Sequence, residues 1–401
     1  MSPDGALSLM ATRALPQSTT RSILGTEVGA FLRHIDYLLL LAVAGVIAYG
    51  LWVLAAVTRN DIPGDSGYFL FRQEIYVAVG AVVLAVMTAV NPDVFRRYKR
   101  VLYALAVFLL IIVFPLAENV RGSQRWIAFG SFNFQPSELG KVLLILFLAG
   151  FVADRARRIG EWRVTWSVLG LSAVPIVLVF EEPDFGSALI YGCAAGAVLL
   201  FAGLPWKQLG VLFAIVVLVA LSMLWFLPSA GVDVLDQYQQ DRLVGFLHPD
   251  VDPRGTTYNI TQSITAVGSG GYDGRGVAGA TQTNLDFLPE HNTDFIFSSL
   301  AEQRGFLGAA ILLLLYALIA WRGIKIIAIA PSLFTAAAAG AIVFTFLVQI
   351  FINIGMTIGI APVTGIPLPF VSFGGSSMIT TLAMVGLLEA IHVRGRLAGQ
   401  K

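Results

Sequence analysis

Charged residues are scarce in this chain of 401 residues. Asp, Glu, Lys and Arg together make up 13% of the sequence, whereas 57% of it is hydrophobic. The charges lie in short intervals between apolar runs that are too long for the core of an ordinary soluble domain. This composition argues against a soluble protein and predicts one that crosses a membrane many times.

Cysteine and histidine are also rare. Cys193 is the single cysteine, so the chain cannot form an intramolecular disulfide, and its place inside an apolar run indicates packing. The four histidines lie too far apart in the sequence to indicate a zinc site. Residues 1–34 lack an apolar region followed by a small-residue cleavage site, which favours a mobile cytosolic tail over a removable signal peptide.

The apolar runs predict an all-α, polytopic integral membrane protein of about ten transmembrane helices, because a span needs roughly 20 apolar residues. A single transmembrane domain would cover residues 35–393, and a short cytosolic tail would follow at residues 394–401. The predicted spans are residues 36–57, 73–91, 99–117, 137–153, 164–180, 185–203, 207–227, 294–321, 332–354 and 374–392.

The basic residues predict the orientation, because cytoplasmic loops of membrane proteins are enriched in Lys and Arg. With the N-terminus inside, seventeen of the 26 Lys and Arg residues fall in cytoplasmic segments and seven in external ones. The other two, Lys141 and Arg304, lie within predicted spans. We therefore expect both termini in the cytoplasm.

One predicted connection, residues 228–293 between spans 7 and 8, is far longer than the others and lies on the outer face. A loop of this length in a compact protein is usually functional or disordered. Its "TTYNITQSITAV" segment predicts an amphipathic helix at the interface, and "GSGGYDGRG" supplies turns. The glycines do not form a nucleotide-binding loop, because no strand precedes them and no Gly-Lys-Ser or Gly-Lys-Thr ends them.

A charged residue inside a membrane span is costly, so such residues tend to be paired and functional. Glu138 and Lys141 stand three apart at the start of the fourth span, where Pro136 suits the first helical turn and Ser137 is placed to cap it. We expect the two charges to pair. A structural salt bridge and a functional pair are both open at this point.

Asp184 and Asp294 each stand at the entrance of a predicted span. Either one is explained by the favourable interaction of an acid with a helix N-terminus, with Asn292 or Thr293 as the cap in the second case. Glu302 lies eight residues beyond Asp294, which is about 12 Å along a helix. That depth predicts a hydrated or paired interior around Glu302 and its neighbour Arg304.

Five sequence blocks, in this order, carry a resemblance to the SEDS family (shape, elongation, division and sporulation). They are "RGSQRWIAFGSFNFQPSELGKV", "EPDFGSALI", "DRLVGFLHPDVDPRGTTYNITQSITAVGSGG", "TQTNLDFLPEHNTDFIFSSLAEQRGFLG" and "NIGMTIGIAPVTGIPLPFVSFGGSS". The resemblance runs from the first predicted span to the last. Within the family, "PVTGIPLPF" resembles the RodA elongation branch more than the FtsW-like division branch.

The resemblance implies a peptidoglycan glycosyltransferase that polymerises lipid II into β-1,4-linked glycan at the outer face of the bacterial cytoplasmic membrane. It also implies a partner, a class B penicillin-binding protein that crosslinks the strands. The family's essential aspartate falls on Asp294. The candidate substrate-binding residues within the matching blocks are Arg121, Arg125, Trp126, Glu138, Lys141, Asp184, Gln262, Glu290, Ser372 and Ser376.

This sequence departs from the family pattern at three positions. The histidine that usually precedes the threonine is displaced to His291, the glutamine before Pro-Asp is Glu182, and a tyrosine is replaced by Phe373. Glu182 places an additional acid beside Asp184, which makes a direct substrate contact there less secure. The loss of the hydroxyl at Phe373 argues against a need for that hydroxyl.

The chemistry implied by the resemblance needs one base. The sugar of lipid II is α-linked to a pyrophosphate, so a single inverting displacement by the acceptor 4-hydroxyl gives the β bond. Because pyrophosphate leaves well, Asp294 as general base would suffice, with positive charge at the phosphates from Arg121, Arg125 or Lys141, or from a divalent cation such as Mg²⁺ or Mn²⁺. No metal ligands are assigned from the sequence.

Two other classes of function are consistent with charges inside a helical bundle. A lipid II flippase would move substrate between leaflets without making polymer. A membrane scaffold would organise other cell-wall enzymes and would tolerate the loss of Asp294. The long outer loop beside Asp294 favours the enzyme over both.

Overall fold

The computed structural model describes residues 33–120, 123–130, 132–222, 246 and 257–399. The chain divides into two compact units, Met1–Ile35 and Asp36–Lys401. The predicted tail up to residue 32, most of the outer loop up to residue 256, and Arg121 lie outside the described residues. All elements given below belong to the second unit.

The second unit is built mainly of α-helices. In the described residues they are α1 (Tyr37–Val57), α2 (Tyr68–Ala89), α3 (Pro92–Arg97), α4 (Lys99–Leu116), α5 (Pro136–Ala153), α6 (Trp162–Glu181), α7 (Phe185–Phe201), α8 (Trp206–Leu221), α9 (Tyr258–Gly270), α10 (Gly276–Gly279), α11 (Thr281–Asn284), α12 (Ile296–Ala328), α13 (Leu333–Thr357) and α14 (Gly375–Ala398).

Each of the ten predicted spans overlaps one of these helices, and residues 223–227 of the seventh span lie outside the described residues. Within the described ranges, eight helices are long and apolar enough to cross a membrane, whereas α7 and α8 are apolar but shorter. The predicted all-α membrane fold is therefore confirmed. The count of ten spans stays a prediction.

Helices α5 and α14 lie at the centre of the packing. Buried residues make up 83% and 89% of their apolar windows, compared with 11% for α2. Helix α2 packs along α14, α4 along α5, α7 along α13, and α1 along α12. Peripheral helices expose large apolar side chains such as Phe71, Phe108 and Phe213, as expected for surfaces that face lipid.

Several helices begin where the sequence supplies a cap. The carboxylates of Asp36 and Asp184 accept hydrogen bonds from backbone amides in the first turns of α1 and α7, and Ser332 forms a capping box with Thr335. Pro136 occupies the first turn of α5, as predicted. The prediction for Ser137 is wrong, because α5 has no side-chain cap and the buried Ser137 hydroxyl has no hydrogen-bond partner among the described residues.

A small antiparallel sheet between α4 and α5 was not indicated by the sequence. Its strands are β1 (Glu118–Val120), β2 (Ser123–Phe129) and β3 (Phe132–Phe134), and they lie in that order. Strand β2 carries Arg125 and Trp126. The sheet therefore fixes two of the candidate site residues next to the start of α5.

Helix α12 is broken at Gly305, whose φ of 63° and ψ of −162° are not helical. The break exposes backbone groups that bond to the segment after α9. The amides of Phe306 and Leu307 donate to the carbonyls of Gly271 and Tyr272, and the amide of Arg275 donates to the carbonyl of Glu302. The break thus docks the ordered part of the outer loop onto α12.

The predicted paired interior around Glu302 is confirmed, but its partners belong to the loop. The fully buried carboxylate of Glu302 accepts from the amides of Gln282 and Thr283 and from the Thr283 hydroxyl at 2.8–3.0 Å. The guanidinium of Arg304 lies 3.8 Å from the centre of the Trp52 ring. Glu302 therefore holds the first turn of α11 and is not a group in open lipid.

The helix predicted in "TTYNITQSITAV" is present as α9, and it packs against α12 and α13. The buried hydroxyl of Ser263 pairs with that of Ser298 at 2.7 Å and donates to the Thr357 carbonyl. These contacts give α9 a protein-facing side. Helix α9 is therefore packed against the helices that carry Ser298 and Thr357, and it does more than lie along the membrane interface.

Candidate active site

Asp294 lies two residues before α12, and its side chain is partly buried. Its carboxylate approaches Gly365, where an added Cβ atom would lie 3.4 Å from Asp294 Oδ2. Gly365 has a φ of 71°, a conformation that favours glycine. The loop between α13 and α14 therefore passes within van der Waals range of this acid, at a backbone position that favours glycine.

Two buried polar side chains hold the backbone around Asp294. The side-chain amide of Asn353 on α13 donates to the Asp294 carbonyl at 2.9 Å and to the Ile366 carbonyl at 2.8 Å. The Ser372 hydroxyl donates to the Thr293 carbonyl at 2.6 Å and accepts from the Leu368 amide. The backbone at Thr293 and Asp294 is thus held both by α13 and by the loop that follows it.

Glu290 shapes the turn that precedes Asp294. It has a φ of 55°, its carbonyl accepts from the amides of Thr293 and Phe295, and its carboxylate accepts from the Thr293 hydroxyl at 3.0 Å. The prediction that Asn292 or Thr293 caps α12 is wrong. Phe295 holds the cap position without a side-chain bond, while the Asn292 amide points to Asp61 at 3.5 Å.

The predicted pair of Glu138 and Lys141 is confirmed. Lys141 Nζ lies 3.1 and 3.2 Å from the two carboxylate oxygens of Glu138, and both residues are almost fully buried. They line a small pocket with Tyr191, Gln349 and Pro367. Pro367 belongs to the same loop as Gly365, so Asp294 and the buried pair lie against neighbouring residues of one segment.

Asp184 is buried and well supplied with donors. Its carboxylate accepts from the amide and hydroxyl of Ser187 and from the Gln135 side chain at 2.8–3.0 Å, and it lies 3.6 Å from Arg125. The guanidinium of Arg125 also lies 4.3 Å from the centre of the Trp126 ring. The interpretation of Asp184 as an acid at the N-terminus of a helix is therefore confirmed, with an additional link to β2.

Glu182, the acid that departs from the family pattern, lies in the turn between α6 and α7. Burial and, to a smaller extent, the neighbouring charge of Asp184 raise its pKa to about 9, although Arg125 opposes the shift. Both carboxyl oxygens are buried without a hydrogen-bond partner in the described part of the chain. Glu182 is thus neutral at pH 7 and adds no negative charge beside Asp184.

The remaining candidates take different places. Ser376, on α14, accepts from the Gln135 amide and donates to the Asn133 carbonyl, which ties β3 and the start of α5 to α14. Gln262 is half-buried on α9 and makes no side-chain hydrogen bond to the described residues. Arg121 lies outside the described residues. The structure therefore does not connect Gln262 or Arg121 to Asp294.

A group of side chains that could hold a cation includes His291, which lies three residues before Asp294. Ligand atoms of Asp61, Asp286 and His291 all lie within 4.8 Å of one another. His291 Nδ1 is 3.1 Å from the Leu288 carbonyl, which only accepts, and Nε2 is 3.0–3.1 Å from both oxygens of Asp61. An imidazole oriented in this way beside two carboxylates fits Mn²⁺ better than Mg²⁺, which prefers oxygen ligands.

The same contacts also suit a protonated imidazole. Burial lowers the pKa of His291, but the hydrogen bond and charge of Asp61, the Leu288 carbonyl and the charge of Asp286 together raise it above its usual value. His291 therefore links the segment that follows α1 to the turn before Asp294, with or without a metal.

Three residues of this region were not singled out from the sequence: Asn353, Asp61 and Gln135. Asn353 was detectable as a lone amide in the apolar run "FINIGM", where a polar group must find partners. Its acceptors are 59 and 13 residues away, so no local spacing reveals them. Asp61 and Gln135 gave no signal beyond being polar residues near span ends.

These features define a multi-pass helical membrane protein with a polar site built at the starts of α5, α7 and α12. Over residues 33–397 the chain matches the FtsW, RodA and SpoVE family, described as "cell cycle protein". The chain belongs to this family, and the SEDS resemblance of its sequence blocks is confirmed.

The chain is similar to known members of this family both in sequence and in structure. The chain is 36% identical to the peptidoglycan glycosyltransferase MrdB of Escherichia coli K12 over 365 residues, which are 91% of this chain and 95% of the relative. A chain of a solved peptidoglycan synthase complex, described as coordinating polymerization and crosslinking, is similar with a TM-score of 0.77, 27% identity and coverage of 90% and 98%. Thermus thermophilus RodA gives a TM-score of 0.64 at 27% identity, with coverage of 89% and 96%.

Proposed function

We infer that this chain is a peptidoglycan glycosyltransferase of the RodA type, which polymerises lipid II during cell elongation, and we propose that Asp294 is its general base. Family membership supports the reaction class. The observation that carries the assignment of the base is the placement of the Asp294 carboxylate against Gly365, with its backbone held by Asn353 and Ser372. An aspartate whose backbone is held in place can keep its carboxylate in position to take a proton from a bound sugar.

In the proposed reaction the acceptor 4-hydroxyl oxygen bonds to the anomeric carbon of the donor sugar. The bond from that carbon to the phosphate oxygen breaks, and the hydroxyl proton passes to Asp294. The undecaprenyl pyrophosphate leaves with the electron pair of the broken bond. Attack from the side opposite the phosphate inverts the α linkage to β.

The departing pyrophosphate requires compensation of its charge. Lys141 and Arg125 each have a carboxylate partner, Glu138 and Asp184, so they act as hydrogen-bond donors of a nearly neutral pair. A divalent cation would supply the additional positive charge. It would be held by Asp61, Asp286 and His291. This assignment is supported by the closeness of their ligand atoms.

The substrate-binding set is proposed in the same way. Trp126, Arg125, Asp184, Glu138 and Lys141 surround the starts of α5 and α7, where a headgroup entering from the outer face would meet them. Arg121, Gln262, Glu290, Ser372 and Ser376 complete the set, with Glu290, Ser372 and Ser376 as residues that shape the loops.

We further propose that the protein lies in the bacterial cytoplasmic membrane with both termini in the cytoplasm and works with a class B penicillin-binding protein. The excess of Lys and Arg on the inner side supports the orientation. The similar solved complex supports the partner, since it is described as joining polymerization to crosslinking. A flippase is not favoured, because the relatives are named glycosyltransferases.

The test is polymerisation of lipid II by the purified protein in complex with its penicillin-binding partner. Asp294→Asn and Asp294→Ala should give no glycan ladder on a gel. Asp273→Asn, which removes an exposed acid from the same outer segment, should leave the ladder unchanged. A ladder from a correctly folded Asp294→Ala complex would exclude Asp294 as the base.

A second arm of the same assay addresses the cation. If a divalent ion is needed, a chelator abolishes the ladder and Mn²⁺ restores it in the wild type, but not in Asp61→Asn. A ladder that persists in chelator would remove the cation from the mechanism and leave the phosphates to Lys and Arg.

A further inference from the structure

A second pocket lies at the end of α5 opposite to the candidate active site. It has a volume of about 930 Å³ and opens between the start of α4, the end of α5 and the middle of α6. Lys141 of the polar pair and Arg155 beside the pocket are 14 residues apart, which is about 21 Å along a helix. The pocket therefore belongs to the face predicted to be cytoplasmic and takes no part in the chemistry at Asp294.

The inner part of this pocket, its floor, is apolar. A proline in α6 accounts for the position of Tyr103 there. Pro175 has no amide hydrogen, so the Leu171 carbonyl one turn earlier lacks its helical partner. The Tyr103 hydroxyl donates to that carbonyl at 2.9 Å. Tyr103 in turn packs against Phe147, with ring centres 4.3 Å apart, and Phe147 lies 6.0 Å from Phe151.

The rim of the pocket carries an excess of positive charge. Arg97, Lys99, Arg100 and Arg155 line it together with one acid, Asp154. Asp154 is already engaged by Arg96 at 3.0 Å and by Lys99. In the part of the chain that the structure describes, no carboxylate lies within 4.0 Å of Arg97 or Arg100.

Arg155 connects the charged rim to the aromatic floor. Its guanidinium donates to the Phe151 carbonyl at 3.2 Å and lies 3.7 Å from the centre of the Phe151 ring. The pocket thus changes from cationic to apolar over a few ångströms, in the direction of the membrane interior. A ligand that fills it must be anionic at one end and apolar at the other.

We propose that this pocket binds one anionic phospholipid, with the phosphate of its headgroup on Arg97 and Arg100 and an acyl chain along Tyr103, Phe147 and Leu171. Basic pockets between transmembrane helices are suited to anionic headgroups, and the volume lies in the range of ligand sites. A free phosphate would leave the aromatic floor exposed, and a zwitterionic lipid would leave the rim cations uncompensated.

Native mass spectrometry of the full-length protein in detergent tests this proposal. Phosphatidylglycerol should bind at least tenfold more tightly than phosphatidylcholine with the same chains. The double variant R97Q/R100Q should lose roughly fivefold per cation, so roughly 25-fold in total. The control R157Q/R163Q removes two exposed arginines that do not line the pocket, one between α5 and α6 and one in the first turn of α6, and should bind like the wild type.

A change in the floor gives a second, independent measurement. Leu171→Phe fills the apolar part and should weaken the binding of phosphatidylglycerol while every charge is kept. Equal binding of both lipids, an equal loss in the control, or displacement of the lipid by glycerol 3-phosphate at the same concentration would each overturn the proposal.

Discussion

The side-chain amide of Asn353 donates to the backbone carbonyl of Asp294 across 2.9 Å. A second hydrogen bond from the same amide group reaches the Ile366 carbonyl, so one buried side chain joins α13, the start of α12 and the loop beside Asp294. Asn353 is fully buried. Its contacts make it a positioning residue for the proposed base.

Replacing Asn353 by Leu should reduce the turnover number of lipid II polymerisation by about 10- to 100-fold, because a shift of about 1 Å in a reacting group has an effect of this size. The KM for lipid II should change much less, since the side-chain amide of Asn353 donates to two backbone carbonyls. The measurement is the initial rate of polymer formation as a function of lipid II concentration.

Thr345→Val is the matched control for Asn353→Leu. Thr345 is buried on the same helix, and its hydroxyl has no hydrogen-bond partner in the described residues. Valine has nearly the same shape, so this variant should keep its rate. A turnover number for Asn353→Leu within twofold of the wild type would contradict the positioning role.

Variants of the buried pair of Glu138 and Lys141 allow effects on stability and on activity to be measured separately. Glu138→Gln leaves the Lys141 ammonium buried without its counter-charge, which should lower the free energy of unfolding by about 3–5 kcal/mol. The double variant E138L/K141M removes both charges and should recover most of that loss. It should nevertheless be inactive if the pair contacts the substrate.

Thermal unfolding and polymerisation assays on both variants distinguish these effects. A double variant that is stable and fully active would show that the pair is structural. A double variant that is stable and inactive would support its place in the substrate-binding set, because instability could not explain the loss.

Glu182 should make the stability of the protein depend on pH. Its pKa is about 9 in the folded state and near 4.5 when exposed, so folding favours its protonated form. Below pH 4.5 Glu182 is protonated in both states and does not lower the free energy of unfolding. As the pH rises toward 9, the unfolded state loses this proton first, so the free energy of unfolding falls progressively. Glu182→Gln should raise the melting temperature at pH 8.5 more than at pH 5, as measured in detergent.

Glu181→Gln is a suitable comparison for the change at Glu182. It removes the neighbouring carboxyl, which lies at the end of α6. A rise in melting temperature that is the same at both pH values for Glu182→Gln would mean that this side chain is ionised in the folded protein at both.

The sequence predicted the membrane helices well because their signal is the length of an apolar run, which does not depend on tertiary contacts. The caps at Asp184 and the pairing of Glu138 with Lys141 were also local, at spacings of three residues. The sheet at residues 118–134 was missed because strands of three and seven residues carry too little periodicity to stand out.

The site was predictable only in part. The resemblance pointed to Asp294 and, as a substrate-binding candidate, to Ser372. It revealed neither Asn353 nor the contacts that hold the backbone around Asp294, because Ser372 and Asn353 make them across 79 and 59 residues. The break at Gly305 was hidden as well. It depends on the docking of residues 270–275, and an isolated glycine in an apolar run does not by itself predict a non-helical conformation.

Gly305→Ala should therefore undock the ordered part of the outer loop. Alanine is strained at a φ of 63°, and its Cβ would lie 2.4 Å from the Gly274 amide and 2.5 Å from the Tyr272 carbonyl. We expect a loss of stability of at least about 1–3 kcal/mol and faster amide exchange in residues 270–285. Gly268→Ala, in α9 and facing open space, should be neutral. Slow exchange in residues 270–285 of Gly305→Ala, equal to that of the wild type, would show that the loop is held by contacts other than the break in α12.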